Sequence, residues 1–102
     1  MTIDEIISTA VAYLKSLPDG TEISTSEVLK ASCGFDYDPN GEYLVGNTPV
    51  DFEGMFALDR SIRKAARRAG MKIDDSLYAD QVVGLLFNVP YCVSKRKRTQ
   101  RK

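Results

Sequence analysis

The chain of 102 residues contains no histidine and only two cysteines, Cys33 and Cys92. Without histidine, the usual general base and the commonest metal ligand are both absent, and the two cysteines do not have the C-x-x-C spacing of a zinc site. A serine or cysteine nucleophile would need a lysine or a carboxylate as its base, and no spacing in the chain indicates one. The sequence therefore predicts that the protein is not an enzyme and carries no cofactor.

Features of an export signal or a membrane span are also missing. The N-terminal stretch MTIDEIISTAVAYLKSL has acidic residues where a signal peptide has basic ones. The longest apolar run, at 82–93, has 12 residues and is interrupted by Asn88 and Pro90, so it is too short to cross a bilayer. We therefore expect a cytoplasmic protein without a membrane partner, in which the two cysteines are reduced thiols.

The formal net charge is zero, but the charges are divided between the two halves of the chain. Residues 1–58 contain ten acidic and two basic residues, which gives a net charge of −8. Residues 59–102 contain twelve basic and four acidic residues, which gives +8. Because a charged ligand responds to the local field and not to the total, this separation indicates charged partners.

Hydrophobic periodicity predicts two helices in the acidic half. Apolar residues recur at steps of three and four over residues 4–17, and Thr2 is the expected N-cap. A short extended segment, TEIS, follows. The second helix is expected to begin with Thr25 or Ser26 as its cap and to end at Gly34.

The segment at 35–50 does not have a helical pattern. Its DPNG sequence is typical of a type I turn, and aromatic residues flank the turn, so a small hairpin or ordered loop is predicted. The letters DYDPNG at 36–41 also match the start of a calcium-binding loop, but Asn47 stands where such a loop needs glutamate. Whether residues 36–47 bind a metal or form only a hairpin is left open. We expect four aromatic residues to pack in the core, with stacking on bases as the alternative: Tyr37, Tyr43, Phe52 and Phe56.

A third helix is predicted to begin between Asp51 and Gly54 and to end at Gly70. At about 100° per residue, its apolar residues share one side and its basic residues occupy the other. The basic residues are Arg60, Arg63, Lys64, Arg67 and Arg68. Arginine can hold a phosphate or a guanine edge with two hydrogen bonds, whereas the asparagine or glutamine that would read adenine is missing from this face. The pattern favours contact with a nucleic-acid backbone over sequence-specific reading, and an ordinary solvated helix is the alternative.

The C-terminal part reads as a hairpin followed by a tail. The MKI segment after the third helix is expected to be extended, and strict alternation over 82–93 predicts a strand with one buried face. Pro90 lacks an N–H group, which predicts an edge strand, at least at the end of the strand where Pro90 lies. The sequence therefore predicts one domain at 1–94 and a disordered basic tail, KRKRTQRK, at 95–102.

This order of elements resembles the winged helix-turn-helix family over residues 4–95. In the resemblance, SEVLKASCG corresponds to the first helix of the helix-turn-helix, DRSIRKAARRAG to the recognition helix, and residues 71–94 to the wing. The resemblance implies an α+β fold, with three helices, a C-terminal β-hairpin and a hairpin or loop insert between helices 2 and 3. The acidic insert at 35–50 replaces the short turn that normally joins those helices.

The predicted function is that of a small nucleic-acid-binding protein, a DNA-binding transcription regulator or an accessory factor that holds duplex DNA mainly through phosphates. RNA in place of DNA is left open. The predicted contacts are Arg60, Arg63, Lys64, Arg67, Arg68, Lys72, Lys95, Arg96, Lys97 and Arg98. The alternative is a protein-interaction module of winged-helix-like shape with no nucleic-acid role. Its acidic half and residues 35–47 would then contact a protein partner or a second copy of the chain.

Overall fold

A computed structural model describes residues 1–37, 42–74 and 86–95. These residues form three α-helices and two three-stranded antiparallel sheets, so the predicted α+β class is confirmed. The elements are α1 (Ile3–Ser16), β1 (Thr21–Ile23), α2 (Thr25–Ser32), β2 (Phe35–Tyr37), β3 (Tyr43–Val45), β4 (Thr48–Val50), α3 (Phe52–Arg68), β5 (Met71–Asp74) and β6 (Tyr91–Lys95). A short 3-10 turn at Leu86–Asn88 precedes β6. Within the described ranges, none of the helices is long and apolar enough to cross a membrane.

The first sheet has the strand order β1-β6-β5. Strand β6 pairs with β1 on one side and with β5 on the other, and Val93 lies opposite both Thr21 and Ile73. The prediction of an edge strand is therefore wrong. Pro90 lies one residue before the first paired position, so its missing N–H does not interrupt the ladder. The predicted strand also begins too early, because residues 86–88 form the 3-10 turn, and residues 82–85 lie outside the described ranges.

The second sheet, β2-β3-β4, occupies the chain between α2 and α3. Pairing of β2 with β3 confirms the predicted hairpin, and β4 adds a third strand that was not predicted. Gly46 and Asn47 connect β3 to β4 with φ angles of 54° and 65°, as a two-residue type I′ turn requires. The DPNG turn at 38–41 lies outside the described ranges, and so does most of the calcium-loop match. In the part of the chain that is described, no group of three potential metal ligands occurs.

Side-chain caps fix where the helices begin. Thr2 caps α1 as predicted, and it exchanges hydrogen bonds with Glu5 in a capping box. Helix α2 is capped by Ser24 and not by Thr25 or Ser26. Thr25 is the first residue of α2, and its hydroxyl is buried in the protein interior, where it has a different partner.

One core connects both sheets with all three helices. Its largest fully buried side chains are Tyr91 and Phe87, which lie on and just before β6. The second sheet contributes the buried residues Val45 and Val50, so the segment between α2 and α3 is an integral part of the core. The structure also moves one predicted boundary. Lys95 is the last residue of β6 and not part of a tail, since it pairs with Met71 and its N–H donates to the Asp19 carboxylate at 2.9 Å.

Candidate nucleic-acid interface

Helix α3 presents a row of three exposed basic residues, Arg60, Lys64 and Arg68. The opposite side of the helix buries apolar residues that include Met55 and Ile62, and this contact fixes the direction in which the row faces. Residues four positions apart lie about 6 Å apart along an α-helix, so the row extends for about 12 Å. Within the described part of the chain, none of the three forms an ion pair. The row is therefore a positively charged surface that is open to solvent.

Arg63 does not belong to this surface. Only 8% of the residue is exposed, and its Nε donates to Asp59 Oδ1 at 3.2 Å. The guanidinium carbon lies 4.8 Å from the centre of the Tyr91 ring, in the geometry of a cation–π interaction. The prediction that Arg63 lies on the exposed face of α3 and contacts nucleic acid from there is thus wrong. The amphipathic pattern of α3 places Arg63 on the solvent side, but Tyr91 of β6 packs against it.

Arg63 is one member of a buried polar network that connects three elements. Thr25, on α2, donates from its hydroxyl to the Asp59 carboxylate, and the same hydroxyl lies 3.0 Å from the Tyr91 hydroxyl. Burial raises the pKa of Tyr91 to about 12, while the hydrogen bond with Thr25 acts in the opposite direction. All buried side-chain polar atoms of the described residues have a hydrogen-bond partner. The network therefore holds α2, α3 and β6 together and has no surface to offer a ligand.

Arg67 and Lys72 lie where the end of α3 meets the first sheet. Arg67 is exposed, and its Nη2 donates to the carbonyl oxygen of Ile73 at 3.1 Å, which ties the end of the helix to β5. Lys72 is exposed on β5, directly opposite Ser94 of β6. Arg67 therefore adds a positive charge at the C-terminal end of α3 and also has a structural contact. Lys72 alternates with the buried residues Met71 and Ile73, so it lies on the face of the first sheet that points away from the core.

Among the remaining predicted contacts, only Lys95 falls within the described ranges. It is exposed and pairs with Met71, the first residue of β5, so it lies at the same end of the first sheet as Lys72. Arg96, Lys97 and Arg98 lie outside the described ranges. Of the predicted contacts within the described ranges, the structure thus places Arg60, Lys64, Arg67 and Arg68 on the exposed side of α3 and Lys72 and Lys95 at the adjoining end of the first sheet.

The N-terminal end of α3 has the opposite charge. Asp51 is the N-cap and accepts a hydrogen bond from the Gly54 N–H at 2.7 Å, and Glu53 is exposed in the first turn. Both carboxylates are favourable there, since the N-terminus of a helix carries a partial positive charge. The sign of the surface charge therefore changes along α3, between Glu53 and Arg60.

Sequence reasoning missed a partly exposed group of aromatic rings next to this acidic end. Tyr37 is 65% exposed and Phe52 is 49% exposed. A series of ring contacts connects the two residues through Tyr43, Phe87 and Phe56. The distances between ring centroids are 5.5 Å for Tyr37–Tyr43, 5.6 Å for Tyr43–Phe87, 5.3 Å for Phe87–Phe56 and 5.1 Å for Phe56–Phe52. Core packing was expected for all of these tyrosines and for Phe52 and Phe56. It holds only in part, because Tyr43 and Phe56 are half-buried and the two outer rings face water.

Comparison with known proteins adds no relative. No protein-family model, no curated protein and no solved structure matches the chain. Any functional assignment therefore depends on the geometry and charge of the described residues.

Proposed function

We propose that the protein binds the phosphate backbone of duplex DNA through Arg60, Lys64 and Arg68, and that its fold is a winged helix-turn-helix. The chain order α1, β1, α2, α3 supports the proposed fold, as does the antiparallel pair that β5 and β6 form after α3. The strand β1 completes a sheet with that pair. The second sheet is then an insert between the two helices of the helix-turn-helix.

The exposed row on α3 is the observation on which this proposal depends. A row of about 12 Å is long enough to contact a few successive phosphates of one DNA strand. Each contact between a cation and a phosphate releases condensed counterions, which favours binding at low salt. Arg60 and Arg68 have planar guanidinium groups that can hold phosphate oxygens with two hydrogen bonds. Lys95, which is in phase with the core-facing residues of β6, would extend the contact beyond the helix, whereas Lys72 faces the other side of the sheet.

The charge reversal along α3 favours contact with the backbone over the reading of bases. A recognition helix usually reads base edges with residues near its N-terminus, which enters the major groove. In this protein that end carries Asp51 and Glu53, and phosphates on either side of the groove would repel their carboxylates. We therefore infer that the C-terminal half of α3 approaches the DNA. Binding should then depend little on base sequence.

The test is a duplex-binding titration with the triple variant Arg60→Ala, Lys64→Ala and Arg68→Ala. Affinity for a 30-base-pair duplex in 50 mM salt should fall at least tenfold, because three phosphate contacts contribute more than about 1.4 kcal/mol. The fold should be retained, since the three side chains are exposed and alanine is a good helix former. Replacing Lys15 and Lys30, which are exposed on the acidic half, with alanine is the control and should leave affinity unchanged. Undiminished affinity of a folded triple variant would remove this row from the mechanism.

A further inference from the structure

Helix α1 presents a line of four side chains beside its buried side, which we call the α1 strip. Its members, Asp4, Ser8, Val11 and Lys15, follow one another at steps of four, three and four residues. At about 100° per residue, they fall within an arc of about 60° on the helix surface. Three of them are exposed, and Val11 is half-buried at the edge of the core. The strip is therefore a side of α1 that a second helix can reach.

An open groove of about 280 Å³ lies beside the strip, between α1 and α3. It is lined by Ile7, Ser8, Val11, Ala12, Lys15 and Ala65. Most of these side chains are small or apolar, so they allow another helix to approach α1 at the usual separation of about 8–10 Å between helix axes. Filling the groove removes apolar surface from water, which favours association.

The α1 strip has opposite charges at its two ends. Asp4 lies in the first turn of α1 and Lys15 in the last, so they are about 16.5 Å apart along the helix axis. Within the described part of the chain, neither residue forms an ion pair. The helix dipole accounts for an acid in the first turn and a lysine in the last. It does not account for the placement of both on the side of Ser8 and Val11.

This order of side chains is complementary to itself when it is reversed, because the steps of four, three and four are the same in both directions. In an antiparallel pair of α1 helices with the two-fold axis between residues 9 and 10, Asp4 faces Lys15 of the partner subunit and Ser8 faces Val11 of the partner subunit. The two-fold axis repeats each contact, so opposite charges meet at both ends. We propose that two copies of the chain form a dimer through their α1 strips.

Charge and size indicate what kind of dimer this is. The formal net charge of the chain is zero, so two copies are not kept apart by a net charge of one sign. One pair of helices makes a small interface, and we therefore expect a weak dimer that forms at high protein concentration. The inference does not rest on DNA binding, because no residue of the α1 strip belongs to the row of Arg60, Lys64 and Arg68.

The test is sedimentation equilibrium of the full chain in low salt, at concentrations up to about 1 mM. The natural chain should pass from monomer to dimer. Asp4→Lys and Lys15→Glu each bring like charges together at both ends of the dimer, so each variant should associate about tenfold more weakly. Lys30→Glu is the matched control, because Lys30 is exposed on α2 and its replacement changes the net charge as much as Lys15→Glu does. It should dimerise like the natural chain.

A mixture of the two single variants tests the register of the helices. When one chain carries Asp4→Lys and the other carries Lys15→Glu, opposite charges meet again at both ends of the mixed dimer. A fluorescently labelled Asp4→Lys chain should therefore bind unlabelled Lys15→Glu chain as tightly as the natural chain binds itself. Unlabelled Lys30→Glu chain has the same net charge but keeps Lys15, which repels the new lysine at position 4. It should bind the labelled chain about tenfold more weakly.

A further variant tests the centre of the α1 strip and remains available if a charge variant fails to fold. Ser8→Arg places a long cationic side chain near the two-fold axis, where it meets its own copy on the partner subunit. Because Ser8 is exposed in the single chain, the fold should be retained, whereas association should weaken at least tenfold. Circular dichroism of each variant checks the fold.

Three results would overturn the proposal. One is a natural chain that stays monomeric at the highest concentration. Another is a dimer that persists in folded Asp4→Lys, Lys15→Glu and Ser8→Arg chains, which would assign association to a different surface. A third is equal binding of the labelled chain to the Lys15→Glu and Lys30→Glu chains, which would show that only net charge drives association.

Discussion

At the scale of single residues, the buried pair of Asp59 and Arg63 connects three elements of this fold, α2, α3 and β6. Asp59 accepts hydrogen bonds from Thr25 and Arg63, and the guanidinium of Arg63 covers the ring of Tyr91. Removing one charge of a buried pair leaves the other in the interior without compensation, which typically destabilises a protein by about 3–5 kcal/mol. The role of Arg63 can therefore be separated from that of the exposed arginines by its effect on stability.

We predict that Arg63→Ala lowers the free energy of unfolding by about 3 kcal/mol, because Asp59 keeps only its hydrogen bond from Thr25. Urea denaturation followed by circular dichroism measures this loss. Arg60→Ala, one turn away on the exposed side, is the control and should change stability by less than about 0.5 kcal/mol. If both variants were equally stable, the buried network would not contribute to folding.

The buried Tyr91 should make the free energy of unfolding fall at alkaline pH. Its pKa is raised to about 12 in the folded protein by burial, against an ordinary value of 10.0. The unfolded chain therefore loses this proton first as the pH rises. The free energy of unfolding therefore does not depend on the ionisation of Tyr91 below pH 10, and it falls by about 1.4 kcal/mol per pH unit as the pH rises from 10 towards 12. We expect urea midpoints measured from pH 9 to 11.5 to fall more steeply for the natural protein than for Tyr91→Phe, and parallel curves would contradict the assignment.

The positions of these residues also mark a limit of sequence reasoning. Asp59 and Arg63 are four residues apart, a spacing that allows an ion pair on any helix, so the pair itself was visible. Its burial depends on Tyr91, which lies 28 residues beyond Arg63 and reaches it only through the pairing of β6. The spacing of apolar residues identifies only the side of α3 that packs in the hydrophobic core. It does not show that Tyr91 covers Arg63 on another side of the helix.

At the scale of elements, local signals predicted the helices well and the strands less well. Apolar spacing and capping residues located α1 and α3 to within a residue or two, because both signals arise within a single helix. Strand β4 escaped prediction since it has three residues and includes Pro49. The structure places β4 at an edge of the second sheet, where proline is tolerated. Whether β6 is central or at an edge depends on its pairing with β1, which is distant in the sequence. Pro90 therefore led to the wrong prediction of an edge strand.

The second sheet should behave as part of the core and not as an appendage. Val45 is fully buried, so Val45→Ala removes two buried methyl groups and leaves a cavity, and we expect a loss of about 2 kcal/mol in the free energy of unfolding. Val28→Ala in α2, which is equally buried, is the matched reference and should cost a similar amount. Chemical denaturation of both variants measures the two losses. A loss near zero for Val45 alone would mean that residues 35–50 fold separately from the helices.

At the scale of the whole molecule, the separation of charge follows the length of α3. The sequence showed an acidic half and a basic half, and in the fold the boundary between them falls on α3, with Asp51 and Glu53 at its N-terminal end and Arg60, Lys64 and Arg68 on its C-terminal half. Composition could not show which charges reach the solvent. Arg63 and Asp59 cancel inside the protein, and Asp51 is used as a cap, whereas Arg60, Lys64 and Arg68 stay open.

The salt dependence of DNA binding tests this assignment for the whole chain. Three contacts from α3, together with three from the basic residues after Lys95, would give a slope of log affinity against log salt near −5, at about 0.9 per phosphate contact. Because Lys95 belongs to β6, the deletion that tests the tail begins at residue 96. Removing residues 96–102 should bring the slope to about −3 without altering any sequence preference, since phosphate contacts carry no base information. The triple alanine variant of α3 should show a similar reduction. A slope near zero for the full chain would exclude nucleic acid as its ligand.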